Sequence, residues 1–166
     1  MARRAAQRRA KAACLLALLL TAPLAGHAQS RKATSSEVVA IRDCANKYAA
    51  DLDEGERRCL FNLVATPCSE QPGGQSNVGI TDCYRLEGAI WDDLLNENYK
   101  ALVADLDDAQ KAKLRDMQRA WIPYRDSTCA FYDTKIQGTI AQPMGAACVA
   151  RETARRALLL KFFAGL

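Results

Sequence analysis

The chain has 166 residues, enough for one domain and too few for two of ordinary size. Its formal net charge is +4, from 23 Lys+Arg against 19 Asp+Glu. The excess is confined to the first 28 residues, and without them 18 basic residues face 19 acidic ones, about −1. Such a balance removes the electrostatic case for nucleic acid or an anionic membrane as partner.

Residues 1–28 read as a secretory signal peptide. Arg3, Arg4, Arg8, Arg9 and Lys11 form a positive n-region, and Cys14 to Leu20 is a compact apolar run continuing to Leu24. Gly26 and Ala28 are the small residues expected before a cut after Ala28. The run is too short to span a bilayer as a helix. A transit peptide would spread its arginines through an amphipathic helix, whereas here they precede a solid apolar block. Cleavage removes Cys14 and His27, the only histidine. Six cysteines then remain, Cys44, Cys59, Cys68, Cys83, Cys129 and Cys148. An even count in an exported chain predicts three disulfides.

Residues 29–67 read as a helical N-terminal extension. Thr34-Ser35-Ser36-Glu37 is a capping box, with Thr34 at the N-cap. Val38, Ile41, Ala45, Tyr48 and Leu52 then recur at helical spacing, and Asp51 to Gly55 ends that helix. A shorter helix is expected over about Glu56 to Val64, stopped by Thr66-Pro67.

Residues 68–166 carry three long helices. The stretch from Ser69 to Gly79 is glycine-rich and aperiodic, a loop. Thr81 or Asp82 can cap a helix to about Ala104, with two apolar stripes, one of Cys83, Leu86, Ile90 and Leu94 and one of Trp91, Leu95, Tyr99 and Leu102. Asp107, with Gln110 in the reciprocal position, caps the next, which runs to about Tyr132. On a helical wheel Leu114, Met117, Trp121, Tyr124 and Thr128 share the core face and Pro123 lies opposite. The proline therefore bends this helix, convex toward solvent, without breaking it. Arg125 flanks the core face, where a charge needs a partner; Glu87 and Glu152 are the expected ones. Gln137 to Pro143 is a second loop, and Ala146 to Phe163 the last helix. No segment alternates like a strand. The predicted class is all-α, a disulfide-stapled helical bundle of three long C-terminal helices with a shorter helical extension. Cys129 and Cys148 flank a short interhelical loop and are expected to pair. Cys44, Cys59, Cys68 and Cys83 allow three pairings, of which the sequence-local one joins Cys44 to Cys59 and Cys68 to Cys83.

Three strings, "CYRLEGAIWDDLLNENYKAL", "LRDMQRAWIPYRDSTC" and "AACVARETARRALLL", together carry a specific pattern. Its elements are Leu95, Asn96, Tyr99 and Leu102; Gln118, Trp121, Tyr124, Arg125, Asp126 and Cys129; and Cys148, Thr153 and Arg156. From about Cys68 to the C-terminus the chain resembles the lysozyme inhibitor LprI-like family. The resemblance implies a small exported bacterial protein, periplasmic or secreted, that binds and inhibits a lysozyme or another peptidoglycan hydrolase.

Such an inhibitor needs an acidic surface for steering and a loop to plug a cleft. The acidic clusters are Asp51, Asp53, Glu54 and Glu56, and Asp105, Asp107 and Asp108. The loops offer Glu70, Gln71, Gln137 and Gly138. Taken alone, the same acids serve as helix caps and solvated faces. An enzyme is disfavoured: without histidine in the cleaved chain, Ser-His-Asp and Cys-His catalysis are excluded. Nothing calls for a cofactor, a metal or a membrane span after cleavage. The competing reading is a non-catalytic envelope module that binds a protein or glycan and inhibits no lysozyme.

Overall fold

The computed structural model describes residues 31–166; the expected signal peptide, with Cys14 and His27, lies outside the described residues. Six helices follow in order: α1 (Ser35–Lys47), α2 (Leu52–Cys59), α3 (Ala65–Ser69), α4 (Asn77–Asp105), α5 (Asp108–Lys135) and α6 (Ala141–Phe163). No strand occurs among the described residues.

The helix starts follow their caps. Thr34 and Glu37 close the capping box of α1, and Asp107 and Gln110 that of α5, as the sequence predicts. Two starts differ from expectation. Asp51 opens α2 instead of ending α1, its side chain accepting the Glu54 N–H at 3.0 Å. Ser76 caps α4 by accepting the Gly79 N–H at 3.0 Å, so α4 begins before Thr81 and the first loop shrinks to 70–76. Thr66-Pro67 does not end a helix but sits in the first turn of α3, where proline lacks no needed donor. Pro143 likewise lies in the first turn of α6, which starts at Ala141 and shortens the second loop to 136–140.

The axis of the bundle is α6. It buries Ala147, Ala150, Thr153, Ala154, Ala157, Leu158 and Leu160, residues that face several directions. Its small residues admit α4 closely: a Cβ on Gly88 would lie 3.3 Å from the Ala150 Cβ. Helix α5 packs on α6 rather than on α4. It runs unbroken through Pro123, which is exposed.

The extension shares this core. Ile41, Ala45, Cys59, Leu60 and Val64 join Leu86, Ile90, Trp91, Leu94, Ala154 and Leu158 in one buried cluster. Glu87 fixes the seam. Fully buried on α4, its Oε1 accepts the Phe61 N–H at 2.7 Å and the Trp91 Nε1–H at 3.1 Å, and its Oε2 accepts the Ala65 N–H at 2.8 Å. Phe61 has φ 63°, and this bond holds its left-handed turn. Burial pushes the Glu87 pKa up, while the N–H donors pull it back.

Three disulfides staple the fold: Cys44–Cys59 joins α1 to α2, Cys68–Cys83 joins α3 to α4, and Cys129–Cys148 joins α5 to α6. The sequence-local pairing is the one adopted.

Candidate functional site

Both loops lie at one end of the bundle. Loop 70–76 leads into α4, loop 136–140 leaves α5, and the Asn77 side-chain N–H donates to Thr139 Oγ1 at 2.7 Å, tying the two together. Glu70 and Gln71 therefore share an end with Gln137 and Gly138, and all four are exposed. Asp105, Asp107 and Asp108 are also exposed, but they occupy the opposite end, around the α4–α5 turn. Asp107 is spent as the α5 N-cap and Asp51 as that of α2. Glu54 pairs with Arg57 and Arg58, and Glu56 with Arg155. Asp53 is exposed in the first turn of α2. Most of these acids thus serve the helices that carry them.

The loop end is cross-linked on both sides. Cys68–Cys83 anchors the first loop where it leaves α3, and Cys129–Cys148 anchors the helices that flank the second. Two glycines seat the first loop against its neighbours. A Cβ on Gly74 would come within 2.6 Å of the Cys68 carbonyl oxygen, and one on Gly79 within 2.2 Å of that of Gly73. Gly73 and Gly138 take positive φ, 85° and 92°. A hollow of about 360 Å³ opens among Glu70, Gln71, Pro72, Gly73, Gln75 and Ser76.

Apolar side chains are left exposed beside this face. Val78 is 61% exposed, Ile140 47% and Met144 39%. Sequence reasoning missed them, because it placed the starts of α4 and α6 too late. Apolar anchors rimmed by polar groups are the usual centre of a protein-binding face.

The residues of the sequence pattern gather elsewhere, along α4, α5 and α6. Leu95 and Thr153 are buried, Tyr99, Gln118 and Trp121 half-buried, and Asn96 and Asp126 exposed. Two expectations are corrected. Tyr124 is not core but 56% exposed, because only α6 covers α5 along this stretch and the covered arc is narrow. Thr128 is exposed for the same reason. Nor does Arg125 bridge helices to Glu87 or Glu152. It pairs with its neighbour Asp126 at 2.7 Å and lies over the Trp121 ring. Glu87 binds backbone N–H groups and Glu152 pairs with Arg155.

The clamp between α5 and α6 is Arg156. It is 8% exposed, donates from Nε to Gln118 Oε1 and from Nη2 to the Met117 carbonyl at 2.8 Å, and lies over Trp121. Desolvation lowers its pKa. Asn98 ties α4 to α6, donating to the Ala157 carbonyl at 2.9 Å.

Among the described residues no cluster of His, Cys, Asp and Glu could hold a metal, and no helix is long and apolar enough to cross a membrane. No curated protein and no solved structure matches the chain. The sequence model of a family described as Lysozyme inhibitor LprI matches residues 68–160, a span that takes in α4, α5, both loops and two of the disulfides. With more than half of its length in that match, the chain belongs to the lysozyme inhibitor LprI family.

Proposed function

We propose that the protein is an exported, non-catalytic inhibitor that binds a lysozyme or related peptidoglycan hydrolase through its loop end. Residues 1–28 direct export as a cleaved signal, and residues 29–67 brace the 68–166 domain. The observation that carries the reading is the Asn77–Thr139 bond, which joins two disulfide-braced loops at one end of the bundle. A face ordered before binding loses little entropy on docking, so more of its contact energy appears as affinity. Ile140 and Met144 supply apolar anchors, and Glu70, Gln71 and Gln137 the polar rim. The acidic residues at the far end play no part in contact; they leave the exported chain slightly acidic, which favours encounter with a cationic enzyme.

The test is inhibition of a panel of lysozymes on cell-wall suspensions by the purified protein. We expect Ile140→Asp and Glu70→Ala each to weaken inhibition at least tenfold while the thermal melt is unchanged. If no lysozyme is inhibited or bound at micromolar concentration, the reading fails, and the protein is an envelope interaction module of another kind.

A further inference from the structure

We propose that the flank of the bundle between α4 and α5 is a saccharide-binding cleft, distinct from the loop end. Because α4 and α5 each pack on α6 rather than on each other, a cleft of about 320 Å³ stays open between them. That volume lies at the small end of the range for ligand pockets, ~300–1,000 Å³. Its walls are Asp92, Leu95, Asn96 and Tyr99 of α4 and Gln118, Trp121, Ile122 and Arg125 of α5.

An inventory of hydrogen-bonding capacity points to the ligand class. Asn96 donates its Nδ2 to Asp92, at 2.9 Å to the carbonyl and 3.2 Å to Oδ2. Gln118 uses Oε1 on Arg156, and Arg125 uses Nε and Nη2 on Asp126. Asp92 Oδ1 and Asn96 Oδ1 remain as acceptors, and Gln118 Nε2 and Arg125 Nη1 as donors, without partners among the described residues. The Tyr99 hydroxyl can do either. Around them Ile122 and Leu95 supply an apolar surface beside Trp121, whose ring lies under the guanidinium of Arg125 at 4.9 Å and that of Arg156 at 5.4 Å.

A ligand for such a cleft must both donate and accept, and must lay an apolar face against aliphatic carbon. Sugar rings do both through their hydroxyls and C–H faces. A charged ligand gains less, because the Arg125 charge is already met by Asp126 and Asp92 lies on the opposite wall. The cleft is mid-bundle and its residues are not those of the loop end, so the two proposals stand or fall separately.

Tryptophan fluorescence tests the assignment. The chain has two tryptophans, and Trp91 is fully buried, so a ligand-dependent change reports Trp121. The probes are chitotriose, a neutral amino-sugar oligomer, and maltotriose, its plain-sugar counterpart. A saturable change with chitotriose alone assigns the cleft to amino-sugar glycans, and a change with either oligomer supports a saccharide site. Asp92→Ala with Asn96→Ala, both exposed on α4, should weaken binding at least tenfold and leave the melt unchanged. Ile140→Asp should leave sugar binding intact. No change with either sugar up to millimolar concentration, or binding indifferent to the Asp92 and Asn96 substitutions, overturns the proposal.

Discussion

Arg156 of α6 lies over the indole of Trp121 on α5, its guanidinium 5.4 Å from the ring, and no carboxylate pairs with it among the described residues. Two oxygens, from Gln118 and the Met117 carbonyl, and one aromatic ring satisfy a buried cation. The arrangement couples the two helices through shape as well as charge, since a guanidinium is flat and its donors diverge. Arg156→Lys keeps the charge and loses that geometry. We expect a loss of about 1–3 kcal/mol in urea unfolding. Trp121→Ala, which removes the ring from a half-buried position, should cost about 3 kcal/mol or less.

Glu87→Gln tests the seam between the extension and the matched domain. The amide oxygen can still accept from Phe61 and Trp91, but its NH₂ group would face the Ala65 N–H, donor against donor. The expected cost is about 1–3 kcal/mol. The pH dependence carries a sign. Because burial raises the Glu87 pKa in the folded chain, its contribution is full below the ordinary carboxylate range and falls as pH rises through the raised value. The stability gap between wild type and Glu87→Gln should therefore narrow with rising pH, as denaturant midpoints at successive pH values will read.

The start of α1 responds in the opposite sense. Hydrogen bonding from Arg31, helped by Thr34, outweighs desolvation and lowers the Glu37 pKa from 4.5 to about 2. A depressed carboxylate stabilises above its unfolded value and loses that effect as pH falls toward the folded one. Acidification from pH 4.5 to about 2 should release the Thr34 and Glu37 amides to hydrogen exchange before the core amides. In Glu37→Gln the same amides should exchange faster at neutral pH.

Gly79→Ala separates loop shape from fold. The new methyl would meet the Gly73 carbonyl, so the loop must shift while α4 persists. We expect inhibition to drop at least tenfold with circular dichroism unchanged. Replacing Asp105 and Asp108 with Asn, at the other end of the bundle, should leave inhibition within about twofold at physiological salt, where distant exposed charges are screened.

Thiol chemistry gives a simple count. Residues 31–166 should show no free thiol in an Ellman assay of the folded protein, because the six cysteines are paired. Replacing Cys129 and Cys148 with Ala should cost about 3 kcal/mol in the chain-entropy description.

Helix content was legible because apolar spacing and capping boxes are local. Thr34 and Asp107 signalled their helices through side chains three residues apart, and the structure places both caps as expected. Ser76 was harder, since a glycine at the third helical position masks its capping role and reads as loop. Asp51 was assigned to a helix end because the acid cluster gives no direction. Periodicity also says which face a residue is on but not how many neighbours cover it. Tyr124 and Trp121 lie within one turn of each other, yet α6 shelters the second and leaves the first in water. Glu87 reads in the sequence as a partner for Arg125; the buried neighbours Cys83, Leu86, Ile90 and Trp91 on its own helix place it in the core, and its backbone donors, Phe61 and Ala65, come from outside that helix. Both loops are legible in the sequence, but not their meeting at one end, because the Asn77–Thr139 tie spans 62 positions.

Two of the three disulfides stand at the end that carries both loops, and the third lies in the α1–α2 hairpin. On the proposed function, oxidation does more than stabilise: it gives the face proposed to meet the enzyme its shape. A copy kept in a reducing compartment could form its helices and bury its core, yet present slack loops to any enzyme it met. On that proposal the fold ties competence to place, since the face is completed where thiols are oxidised.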